Sequence, residues 1–419
     1  MIGLLSATIL AANLAHGGCA TCAHGDDWRA ELPIEVRLIV ARVDQQVAVD
    51  AQSKASLDEK TAAEKAKHDK DIQSDIEMGK KYAAQVVKEM KVSENAEMIA
   101  RVQRIGSDLS IIANQKPVQV SWGDPRLNVF PYQFQVLQGE DVNAFSIPGG
   151  FIFIYEGLVK YAESDDELAG VIAHEISHAA FRHIATLRRE QSKFDIVQIP
   201  LILAAIFTGG ATAQGLLVGG SLFSQAMTSG WSVKAEESAD WGGFQYMQSS
   251  KYNPVGMLTF MERLAYDERN KPQFDWGIYR THPPGRQRAQ SLVRRLGDAG
   301  ILIRRSQVTT SLKTQVKPGE QDSVDLLFNG VKLYSFRGAD ALTRADKAAV
   351  AFDAFMDTVP KIFEIQADGA VVEGRGRPLV EVLPEDLQEG QRAEDVAADA
   401  VRALKRAAYD LSYRVWDAF

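Results

Sequence analysis

The chain has 419 residues, 46% of them hydrophobic, enough to bury a large core and a smaller one, which excludes global disorder and a fibrous fold. Its 47 lysines and arginines stand against 55 aspartates and glutamates, a formal charge of −8, so nothing blankets it in positive potential and nucleic acid is excluded as a partner. The only cysteines, Cys19 and Cys22, precede the first globular element, so no disulfide framework holds the fold and their CxxC lacks the second pair a structural zinc site needs.

Ile2 to Ala15 is an apolar run followed by small residues, which predicts a secretory or lipoprotein-type leader over residues 1–25. No Lys or Arg precedes the run, and His16 stands where a lipoprotein leader carries an aliphatic residue. Residues 35–91 are rich in Ala, Lys, Glu, Asp and Gln, with no Pro and one Gly, and predict a long exposed helix leading into the next domain. No sustained apolar heptad marks that helix as a coiled coil.

From Pro117 to Tyr161 short Val, Phe and Ile runs broken by Gly and Pro predict strands. The clearest hairpin is Asn143 to Tyr155, turning at Pro148-Gly149-Gly150. A helix follows near Asp165, where Ser164 can cap and Asp165, Asp166 and Glu167 suit the positive end of the helix dipole.

That helix carries His174-Glu175-Ile176-Ser177-His178. Four residues advance a helix by about 400°, so both imidazoles project from one face and can share one metal ion. Glu175 sits beside them as a base for the water such an ion activates. Leu168, Val171, Ile172 and Ile176 are apolar, as expected of a helix buried beneath a cleft.

A catalytic zinc takes three protein ligands and keeps one position open. A third histidine at the metzincin spacing is absent, since Phe181 and Ile184 stand there, and His183 should point roughly 140° away from His178 along a continuous helix. His183 is therefore read as a polar or core residue. Ala235-Glu236-Glu237-Ser238-Ala239-Asp240 offers a glutamate instead, Glu236, with Asp240 a turn further on to fix the tautomer of a ligand histidine, while its neighbour and rival Glu237 points elsewhere on the helix.

The apolar stretch Ile196 to Phe223 is interrupted by five glycines after a clean run too short to span a bilayer. It is expected as a buried hairpin or a loop over the active site. After Ser306 the pattern alternates again, with strands near 323–336 and 362–382 and helices over 344–356 and 393–416. The fold class is therefore α+β: a mainly helical metallopeptidase domain over 76–300 with a small sheet whose edge strand borders the active site, and a small α+β domain over 306–419.

Asn143-Ala-Phe-Ser-Ile-Pro-Gly-Gly150, His174-Glu-Ile-Ser-His178, Glu236-Glu-Ser-Ala-Asp240 and His282-Pro-Pro together resemble the M48 family of zinc metallopeptidases, most of all its soluble periplasmic branch. The resemblance implies one zinc ion per chain on His174, His178 and Glu236, with Glu175 catalytic and Asp240 and Arg288 supporting the ligands. It implies that His282 donates to the oxyanion or plugs the metal. It also implies that the strand after the Gly-Gly turn is the sheet edge beside the metal, so that Asn143, Phe151 and Phe153 meet an extended substrate.

The family's membrane-spanning members carry several spans that this chain lacks, and the tail after Ser306 lacks the tandem helical repeats of the periplasmic assembly protease. The expected role is hydrolysis of misfolded or unassembled proteins in the periplasm or cell envelope, with peripheral or lipid-anchored membrane association. The rival role is a chaperone-like or scaffolding protein whose zinc is plugged. A third reading, an intracellular peptidase, turns on whether Met1 persists in the cytosol.

Overall fold

The computed structural model describes residues 33–190, 230–270 and 286–415. The expected leader, the apolar stretch 196–223 and His282 lie outside these described residues. The chain divides into two compact units, residues 1–71 and 72–419.

Helix α1, Ile34–Glu89, starts in the first unit, where nearly every described side chain up to Lys70 is exposed. From Ile72 onward the helix becomes amphipathic and buries Ile72, Ile76, Ala83 and Val86. Helix α2, Ala96–Gln115, is capped by Asn95, whose side chain accepts from the Met98 N–H, and buries Val102, Ile105 and Leu109.

Three strands follow: β1, Gln133–Leu137; β2, Ala144–Ile147; and β3, Phe151–Tyr155. The expected hairpin is present, with Phe145 opposite Phe153 across antiparallel β2 and β3. The strand order is β1-β3-β2, and β1 pairs with β3 in parallel. The strand after the Gly-Gly turn is thus the centre of the sheet and not its edge, which corrects the expectation drawn from the family resemblance. The reason is the side chains: all five residues of β3 are buried, as suits a strand covered on both faces and flanked on both sides.

Phe151, Phe153 and Tyr155 pack on Ala83 and Val86 of α1, while Ile152 and Ile154 join the main core. A short helix α3, Glu156–Tyr161, leads to α4, Asp165–Ala180, whose N-cap Ser164 accepts from the Glu167 N–H as the sequence predicts. Helix α4 is buried around nearly its whole circumference, since α2, β2, α6 (Gly230–Gln248) and α7 (Val255–Asn270) all pack on it. Helix α5 spans His183–Glu190, and α8, Arg286–Asp298, lies against α6 and α7.

The C-terminal stretch forms two three-stranded antiparallel meanders, each followed by a helix. The first has β4 (Thr314–Pro318), β5 (Val324–Phe328), β6 (Val331–Phe336) and α9 (Ala341–Met356). The second has β7 (Ile365–Asp368), β8 (Val371–Gly374), β9 (Arg377–Glu381) and α10 (Ala393–Ser412). Together they enclose a core of their own around Leu326, Phe336, Phe352 and Leu404. Two contacts join this stretch to α7 and its surroundings: the buried Arg305 donates twice to Glu262, at 2.7 and 2.8 Å, and the half-buried Glu163 accepts from the Ser311 N–H at 2.7 Å. Among the described residues no helix is long and apolar enough to cross a membrane.

Candidate metal centre

His174 and His178 lie one turn apart on α4, with Nε2 atoms 3.1 Å from each other. Glu236, on α6, closes the group: its carboxylate oxygens are 3.4 Å from His174 Nε2 and 3.3 Å from His178 Nε2. These three donors lie within 4.8 Å of one another. Glu237, the neighbouring rival, is exposed and faces elsewhere.

Helix α6 approaches this closely because a Cβ on Gly242 would come within 2.5 Å of the Phe181 ring and 2.6 Å of Ser177 Oγ. Any larger residue there would push Glu236 away from the histidines. Glu175 is 1% exposed and faces the same cavity as His178 and Glu236.

The surroundings orient the donors. Asp240 Oδ1 lies 3.0 Å from His174 Nδ1, so that nitrogen carries the proton and Nε2 presents a lone pair. Arg288 holds Asp240 from two sides, at 2.7 and 2.8 Å, and reaches Glu236 at 3.0 Å. Burial would raise the Asp240 carboxyl, but Arg288 and His174 outweigh it and hold it well below the usual range. Burial lowers His174, and here Asp240 and Glu236 win and raise it.

Whether these residues fit a metal follows from the crowding. Two ring nitrogens and a carboxylate converge to 3.1–3.4 Å, close enough for one cation to be shared among them. A two-histidine, one-carboxylate set with a clear side toward Glu175 is the donor chemistry of a catalytic divalent ion.

His183 differs from its expected position. Helix α4 ends at Ala180, and Arg182 takes a left-handed backbone, φ 51°, rarely adopted by a non-glycine residue. The turn swings His183 back, so that its Nδ1 is 2.9 Å from His178 Nδ1 instead of pointing away along a continuous helix. It remains outside the donor group, as the sequence indicated. Its Nε2 meets the Trp122 carbonyl at 3.0 Å.

Arg182 is held in place by Asp75 of α1 at 2.6 Å and by Asp124 at 3.0 Å. Gly123, at φ 122°, brings this loop in: a Cβ there would lie 2.5 Å from the Phe181 carbonyl. None of these residues stood out in the sequence, because the signal would have been a non-glycine left-handed turn that no residue type announces.

Burial pushes the Asp124 carboxyl up, but Arg126 and Arg182 overcome it and hold it well below the usual carboxylate range. A carboxyl depressed on folding stabilises the fold above its unfolded value of about 4 and loses that contribution as pH falls below it. Asp124→Asn is expected to flatten the acid limb: its stability deficit, roughly 1.5–3 kcal/mol at pH 7, shrinks by pH 3. Urea unfolding midpoints of parent and variant at the two pH values test this, and an equal deficit at both would contradict it.

Asn143 is buried at the start of β2, with its carbonyl accepting from the Tyr155 N–H at 3.0 Å. Phe151 and Phe153 are 6% and 1% exposed in the core beneath the sheet. Their strand has a partner on each side, so it has no edge to offer a substrate. The strand bordering the cavity is β2, through Phe145, Ser146 and Ile147.

Three metal donors with Glu175 beside them form the arrangement that a metal-dependent hydrolase needs. Residues 108–296 match peptidase family M48. It is 29% identical over 218 residues to the beta-barrel assembly-enhancing protease of Yersinia pestis, covering 50% of this chain and 40% of that protein. To the protein of that name from Escherichia coli (strain K12) it is 32% identical over 160 residues, 36% of this chain and 32% of the relative. To the metalloprotease LoiP of Escherichia coli (strain K12) it is 27% identical over 175 residues, 42% and 67%. The chain spans less than half the length of the beta-barrel assembly-enhancing proteases it matches.

Proposed function

We propose that the chain is a zinc-dependent endopeptidase that hydrolyses peptide bonds of misfolded or unassembled proteins of the cell envelope or periplasm. The observation that carries this reading is the convergence of His174, His178 and Glu236 beside the buried Glu175. His174, His178 and Glu236 would hold the ion, which when bound lowers the pKa of a water toward about 7 and polarises the scissile carbonyl. Glu175 would act as the base that takes a proton from the attacking water and returns it to the departing amine. Asp240 and Arg288 keep His174 and Glu236 in place throughout.

The substrate is read as an extended segment that adds to the outer side of β2, which has one strand partner among the described residues. Beside it lies the cavity of about 130 Å³ that Glu175, His178 and Glu236 face, with Phe145, Ile147, Pro148, Ala179 and Ile184 as its apolar wall. Backbone pairing reads extension more than sequence, which favours unfolded segments. The relatives' name, beta-barrel assembly-enhancing protease, supports a role in assembly quality control.

The test is cleavage of casein by the purified chain with its metal content measured. One zinc per chain is expected, with cleavage abolished by a chelator and restored by zinc. A chain that holds zinc and cleaves no unfolded protein would sink the protease reading, and one that takes up no zinc would sink the ligand assignment.

A further inference from the structure

We infer that His183 is a positioning residue for the metal centre: it accepts the Nδ1 proton of His178 and so fixes the tautomer whose Nε2 faces the ion. This rests on the metal reading above.

The argument is one of hydrogen-bond direction. The carbonyl of Trp122 can only accept, so His183 Nε2, 3.0 Å away, must carry a proton. A neutral imidazole with its proton on Nε2 has only a lone pair at Nδ1. That lone pair is 2.9 Å from His178 Nδ1, which must therefore be the donor. His178 is left with its own lone pair on Nε2, the atom that faces His174 and Glu236. With His183 neutral, reversing any one proton along His178, His183 and Trp122 would set two donors or two acceptors against each other, whereas the lone pairs of His174 Nε2 and His178 Nε2 that are left facing each other and Glu236 are those an ion would share.

The carbonyl at the end of the chain is itself fixed. Ser238, two residues after Glu236 on α6, donates its hydroxyl to the Trp122 carbonyl at 2.8 Å and accepts from the Trp122 N–H at 3.1 Å. One carbonyl thus receives protons from Ser238 on the helix that carries Glu236 and from His183 at the start of the helix that follows α4. The two ligand histidines are oriented by different means, His174 by the anionic Asp240 and His178 by a neutral ring whose proton ends on the backbone.

The test compares His183→Asn with His183→Leu, side chains of nearly equal size. The Oδ1 of Asn lies where the Nδ1 of histidine was and can still accept from His178, whereas Leu cannot. Zinc affinity is measured by competition with a chromogenic chelator. The Asn variant is expected within about threefold of the parent, and the Leu variant weaker by roughly 10–100-fold.

A packing role alone predicts the opposite order, because a buried Leu is tolerated better than a buried Asn. Equal affinity of parent and Leu variant, or an Asn variant as weak as the Leu one, would overturn the proposal. A second readout needs no variant: nitrogen-15 NMR of the zinc-loaded parent should show His178 protonated at Nδ1, and zinc bound through that nitrogen would refute it. If the parent itself takes up no zinc, the metal reading is what fails.

Discussion

Glu175→Gln will keep its zinc and lose hydrolysis by a factor on the order of 10²–10⁴. The side chain is 1% exposed and follows His174 directly on a helix fixed on all sides, so an amide of the same shape fits the same space. What the amide lacks is basicity. It can neither take a proton from water nor give one to an amine, and the barrier should rise by roughly 3–5 kcal/mol. Casein cleavage rates, with zinc measured on the same sample, decide the matter. A variant that still cleaves within tenfold of the parent moves the base elsewhere. The same variant separates protease from chaperone: a chain that acts by holding unfolded proteins would keep its effect on their aggregation and, in the parent, leave them intact.

Arg305→Ala is expected to cost about 3–5 kcal/mol of stability, because it leaves the Glu262 carboxylate, on α7, buried without its main partner. Arg305 is 1% exposed and Glu262 is also 1% exposed, joined by two hydrogen bonds at the start of the C-terminal stretch. Replacing both by methionine should be far less harmful than either truncation, since two desolvated charges leave together. Urea unfolding of the single and double variants measures this. A single variant within 1 kcal/mol of the parent would show that the pair is not what holds the junction.

The metal donors were legible because a helix repeats every 3.6 residues, so His174 and His178 must share a face whatever surrounds them. The Ser164 cap and the hairpin at Pro148-Gly149-Gly150 were legible for the same local reason. The order of the strands was not, because β1 joins β3 in parallel through a connection that no turn residue marks. That one pairing moves Phe151 and Phe153 from an expected edge to the sheet centre and passes the edge to β2. His183 was legible as a non-ligand but not in its position, since the left-handed turn at Arg182 depends on Asp75 and Asp124, 107 and 58 residues away. Glu236 could be preferred to Glu237 from the residues alone, because Asp240 follows one turn on while Glu237 points elsewhere on the helix, and the family pattern makes the same choice.

The donor set also draws on widely separated parts of the chain: two ligands on α4, a third on α6, and the arginine that braces it at the start of α8. During synthesis the earlier segments emerge first. A ribosome-bound chain that has exposed α4 therefore holds the recognisable motif without a complete site, and stays so until Arg288 has emerged and docked. By the time α8 has emerged, β1, β2 and β3 have all emerged before it and are available to pair with one another.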